Sequence, residues 1–194
     1  SCQVFSGDAG VTLDAEARAI KYAADNGAVI LQCSWGYNSS LASIIEGYTP
    51  GPGSEEEWES LYPLEKEALD YFINNAGSPN GVIDGGLVIF AAGNEDSGMP
   101  AFPGAYAKCV SVSAVAAYFT PASYTDYGKE VTISAPGGDT EYYNPVGKND
   151  PESCTDGIYS GSILSTCIQT CTAASGFMDA TSMPAPPLSG IDAF

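Results

Sequence analysis

Ser182 stands between Thr181 and Met183, just ahead of the proline-punctuated run Pro184-Ala185-Pro186-Pro187. A serine hydroxyl can attack a carbonyl carbon only if a neighbouring base takes its proton, because the free hydroxyl is a weak nucleophile at neutral pH. Histidine is the usual base, and the sequence contains none. Lysine serves some serine nucleophiles, yet only 6 basic residues are present and none forms a motif with Ser182. The serine also has a plainer reading as a helix cap, with Pro184 suited to a first turn. Six cysteines offer a second chemistry. Cys2, Cys33 and Cys109 sit in apolar, strand-like runs and read as buried free thiols. Cys154, Cys167 and Cys171 lie in polar sequence, where two of them could pair. The spacing of Cys167 and Cys171 in "CIQTC" suits zinc, but no second cluster and no histidine completes a site, so no metal is assigned.

Composition narrows the partners. The 194 residues carry 24 acidic and 6 basic side chains, for a formal net charge of −18. Such a field repels phosphate backbones and anionic lipid, which argues against nucleic acid and membrane surfaces as partners. The one dense acidic run, "SEEEWE" at 54–59, reads as a solvated face. No stretch reaches the length of a membrane span and no signal peptide is visible. The sequence opens on Ser1, which implies that residues upstream were removed.

The elements that must position these groups alternate between helix and strand. "LDAEARAIKYAADNG" (13–27) has helical periodicity, with Ile20, Ala23 and Ala24 on one face and a stop at Gly27. "AVILQCSWG" (28–36) is a continuous apolar run, as expected of a strand buried on both faces. "LEKEALDYFINNAG" (64–77) predicts a second helix. Further strands are predicted in "GLVIFAAGN" (86–94), "CVSVSAV" (109–115) and "VTISAPG" (131–137). Buried strands separated by helical crossovers predict an α/β fold, three-layered around a mostly parallel sheet, in a single domain. Polar insertions fall near 37–63 and 138–160. In such sheets ligands gather at the carboxyl ends of strands, here Ser34-Trp35-Gly36, Ala92-Gly93-Asn94-Glu95 and Ala135-Pro136-Gly137. No glycine-rich phosphate loop is present, which argues against a nucleotide cofactor.

The ordered blocks "SWG", "VIFAAGNE", "ASYTDYG…ISAPG", "ST" and "TSMPAP" resemble the subtilisin-like serine proteases, as does "IKYAADNGAVILQCSWG". The resemblance covers most of the chain outside the two insertions. It implies a subtilisin-like fold and peptide-bond hydrolysis through an acyl-enzyme on Ser182. It places Asn94 as the side-chain donor of the oxyanion hole. It also implies that Ser34, Trp35 and Gly36 pair with extended substrate as an added strand, and that Ala91, Ala92 and Gly93 wall a specificity pocket. Read without the resemblance, Asn94 after a glycine is equally a turn residue.

Two departures set the expectations for activity. The family's Asp and His motifs are absent, and Asp8 in "SGDAG" falls where the segment after the histidine belongs. Residues 1–194 thus resemble a partial catalytic domain lacking the family's N-terminal segment. Ala180 replaces a glycine and Pro187 a histidine of the family pattern. The chain alone is therefore expected to be inactive. The alternative is a pseudoprotease that keeps the groove as a peptide-binding domain. A peptide or protein substrate is the expected partner, an exposed sheet edge would favour self-association, and the family implies an extracellular or cell-envelope location. No cofactor is expected. Calcium is common in the family, and Asp139, Asp150, Glu152 and Asp156 would offer oxygen ligands, but their spacing specifies no site.

Overall fold

A computed structural model describes residues 14–44, 49–77, 83–116 and 119–139, together with the backbone of two strands at 163–166 and 175–178. Among these residues the centre is a four-stranded parallel sheet in the order β1-β2-β3-β4, formed by β1 (Ile30–Cys33), β2 (Leu87–Ala91), β3 (Val110–Val115) and β4 (Ile133–Pro136). The predicted α/β class and mostly parallel sheet are what the structure has.

Helix α1 (Ala15–Asp25) ends at Gly27, whose φ of +84° is a backbone state that other residues enter at a cost. Ile20 and Ala24 turn inward from it. Helix α3 (Pro63–Asn75) starts with proline at its first position, where the missing N–H costs no helical bond. It buries Ala68, Leu69 and Phe72, and α1 and α3 pack together over one face of the sheet. Along β2 the parity alternates: Val88 and Phe90 join the core under the helices, while Ile89 packs with Val112 on the opposite face.

The first insertion is more ordered than its polarity suggests. It holds a 3₁₀ turn at Ser40–Ile44 and a helix, α2 (Glu55–Leu61). The Ser54 hydroxyl caps α2 by accepting from the Glu57 N–H at 3.2 Å, and the Glu57 carboxylate reaches back to the Gly53 N–H at 2.8 Å. Glu56, Glu57 and Glu59 face water as expected of a solvated run. Trp58, in the middle of it, is fully buried against Phe102 and Tyr106, with ring centroids 5.4 and 5.2 Å away. A tryptophan-sized burial is worth about 3 kcal/mol or more, which is enough to fasten a seven-residue helix that would not persist alone.

Cys33 and Cys109 are buried free thiols, as expected, and burial pushes Cys33 up to about 12. Cys2, Cys154, Cys167 and Cys171 lie outside the described residues. So does most of the second insertion, although an antiparallel pair, β5 (Ile163–Thr166) and β6 (Ser175–Met178), follows it. No element is predicted there from the sequence. No helix among the described residues is long and apolar enough to cross a membrane.

Candidate functional site

Strands β1 and β2 run parallel with Cys33 opposite Phe90, so the chain leaves both strands at the same level and side by side. The segments just beyond the two strands therefore face each other. Ser34, Trp35, Gly36, Tyr37 and Asn38 form one wall of a cleft of about 130 Å³, and Ala91, Gly93, Asn94, Glu95 and Ala101 form the other. Ser34, Gly36 and Asn94 are exposed, whereas Trp35 is half-buried with its ring edge-on to Phe90 at 5.1 Å. Five of the six predicted substrate-binding residues and Asn94 are thus brought together. Ala92, the sixth, lies behind the wall, donating to Val112 O at 3.0 Å and accepting from Ala101 N–H at 2.7 Å.

The two walls are tied by backbone. Tyr37 donates its N–H to Phe102 O at 2.8 Å, and Gly36 leaves only 3.1 Å between that oxygen and the place a β-carbon would take. A side chain at Gly36 would therefore press on the Phe102 carbonyl by a few tenths of an ångström on that side of the cleft. Tyr37 also stacks on Tyr62 at 4.0 Å and reaches Glu65 with its hydroxyl at 3.2 Å.

The turn 93–97 that presents Asn94 is held from beneath by residues 124–127. Gly93 has φ +124°, and a methyl on it would overlap Asp126 Oδ2 and sit 2.8 Å from Glu95 Oε2. Asp126 Oδ1 accepts from the Glu95 N–H at 3.0 Å and the Ser97 N–H at 2.9 Å, while the Asp126 N–H donates to Gly93 O at 3.1 Å. Tyr37, Asn38, Glu95, Ala101 and Asp126 have no role assigned from the sequence. The strand-end position signals Glu95. For Asp126 no local signal exists, since its partners lie about thirty residues away in the chain.

Ser182, Ala180 and Pro187 lie outside the described residues, as do Asp8 and the acidic residues Asp150, Glu152 and Asp156. Asp139 is buried and accepts from the Ser123 N–H at 2.5 Å. Among the described residues no group of three or more His, Cys, Asp or Glu side chains could hold a metal ion.

The family model of the Subtilase family matches residues 1–194. Halolysin of Haloferax mediterranei is 47% identical over 51 residues, which is 26% of this chain and 10% of that protein. The calcium-dependent protease of Nostoc sp. is 29% identical over 132 residues, 62% of this chain and 17% of that protein. Among solved structures, the epidermin leader peptide processing serine protease EpiP of Staphylococcus aureus superposes with a TM-score of 0.69 at 19% identity, over 97% of this chain and 44% of that one. The nisin leader peptidase NisP of Lactococcus lactis gives 0.65 at 19%, over 93% and 51%. At such identities the likeness to the solved structures is one of fold. The chain spans 10% and 17% of the length of these two curated relatives and about half of the two solved chains.

Proposed function

The chain belongs to the subtilase family, and from that premise we propose that it carries the nucleophile, oxyanion donor and substrate groove of a subtilisin-like serine endopeptidase. The observation that supports this most is the convergence of Ser34–Gly36 and Gly93–Asn94 on one cleft at the carboxyl ends of adjacent parallel strands. An extended peptide lies along Ser34–Gly36 as an added strand. The Asn94 amide donates to the oxygen on which negative charge develops, where such a donor is worth about 10²–10³ in turnover. Ser182 attacks the carbonyl carbon, and the acyl-enzyme is then hydrolysed.

No histidine is among the 194 residues, so the base this family ordinarily uses to accept the serine proton is not in this sequence. The chain by itself therefore binds peptide and does not turn it over. The same absence favours a second reading, in which the groove is used for peptide binding alone. Export to the cell surface or beyond is proposed on family membership only.

Binding is tested directly with an extended peptide and the fluorescence of the chain's two tryptophans. Trp58 is fully buried and does not line the cleft, so a ligand there acts directly on the emission of Trp35. Saturable quenching or enhancement supports the groove. No change at millimolar peptide sinks it.

A further inference from the structure

Asp126 is wholly buried, and its two carboxyl oxygens are treated differently. Oδ1 receives the two amide bonds from the 93–97 turn, whereas Oδ2 has no donor at all. Glu95 Oε2 is in the same state, buried and without a donor. Both orphan oxygens converge on the space above Gly93, where only the absence of a side chain lets them approach. Two acceptors facing each other away from water repel unless a proton lies between them. A lone buried oxygen could be relieved by water. Two that close on the place a β-carbon on Gly93 would take, Asp126 Oδ2 overlapping it and Glu95 Oε2 2.8 Å from it, are relieved most simply by one shared hydrogen.

We propose that Glu95 and Asp126 share a single proton, and that this acid pair is the positioning device for the turn that presents Asn94. The consequence for the groove rests on the proposed peptidase function, while the pair itself does not. Burial, with the Glu95 carboxyl adding to it, pushes Asp126 up to about 8, a midpoint that belongs to the pair. Other titratable groups close to the pair are Asp96 in the same turn, whose N–H donates to Tyr124 O, Tyr127, whose N–H donates to Ser97 O, and Tyr37 across the cleft. Lys129, the basic residue nearest in sequence, points to solvent beside Glu130 and offers Asp126 no counter-charge. Below the midpoint the pair bridges the turn. Above it Asp126 is charged and repels the Glu95 side chain toward the cleft, while Oδ1 still accepts from the Glu95 and Ser97 amides.

The test is a carboxyl-carbon NMR titration of the 194-residue chain between pH 5 and 10, with amide exchange read at Glu95 and Ser97. The expected result is an Asp126 carboxyl that ionises about four pH units above the ordinary aspartate range. After correction for intrinsic exchange, amide protection at both positions should fall by up to about tenfold per unit between the ordinary aspartate range and the midpoint and level off above it. Only in that window does the closed turn hold a proton that the open one lacks. Asp126→Asn, which supplies a permanent donor toward Glu95, should hold protection constant across the range, and Glu95→Gln should move the Asp126 titration down. An Asp126 carboxyl already ionised at pH 6 overturns the pair. So does an Asp126 signal that responds to added calcium chloride and not to pH. A titration as expected in a chain that binds no peptide removes the proposed function and leaves the pair standing.

Discussion

The indole N–H of Trp58 donates to Glu65 Oε2 at 2.7 Å, and both side chains are sealed from water. The Tyr37 hydroxyl adds a second bond to the same oxygen, while Glu65 Oε1 has no partner. A carboxyl thus sits at the joint between the helix of the first insertion, the start of α3 and a residue of the cleft wall. Burial pushes it up to about 7, against the two hydrogen bonds that favour the charged form.

Stability should therefore depend on pH through Glu65. Its folded value lies above the ordinary 4.5, so the folded chain binds the extra proton between those values. The contribution is present in full below pH 4.5 and is lost as pH rises through 7, by at most about 1.4 kcal/mol per pH unit. Thermal unfolding of Glu65→Gln beside the parent isolates this from the other carboxylates. Glu65→Gln should gain stability relative to the parent as pH rises from 4.5 to about 7 and level off above it; a difference that does not change with pH contradicts the account.

Gly93→Ala should destabilise by about 1–3 kcal/mol, because it combines a positive φ with overlap on Asp126 Oδ2. Chemical denaturation with an unchanged slope measures this. A neutral effect would mean that the 93–97 turn is looser than its hydrogen bonds indicate.

Gly36→Val places branched carbon against Phe102 O on the cleft floor. Gly36 is exposed, so the fold should survive while peptide affinity falls tenfold or more, at least about 1.4 kcal/mol. Circular dichroism and the Trp35 titration read the two effects separately. Unaltered affinity would place the peptide elsewhere.

The chain should show no measurable turnover of a fluorogenic peptide from pH 5 to 10, since loss of the base from a serine triad costs roughly 10⁶ in rate. Ser182→Ala should leave peptide affinity unchanged. Clear cleavage abolished by Ser182→Ala would reveal a base among the lysines and overturn the inactive reading.

Much of this architecture is written locally. Strands β2 and β3 are legible because runs such as "LVIFA" are buried on both faces and need no alternation, and α3 because its apolar side repeats at helical spacing. Strand β1, expected to be buried on both faces, is half-buried, and β4 is largely exposed among the described residues. The strand ends that meet at the cleft follow from a parallel sheet with Ser34 and Asn94 just beyond it. Helix α2 is not legible, because one tryptophan among several acids carries its burial and composition reads the acids. The clasp formed by Asp126 is equally silent, for it acts on amides about thirty residues earlier in the chain. Local patterns report which face of an element is dry. They do not report which distant loop a buried side chain fastens.

Cys33 is the last residue of β1, one position before the cleft wall, and is buried with its thiol held protonated. Alkylating reagents need the thiolate and a path to it, so Cys33 is a clock for opening: it reacts only while β1 parts from its neighbours. Its labelling rate, followed by mass spectrometry with and without a bound peptide, would convert occupancy of the groove into a lengthened lifetime of the closed sheet edge.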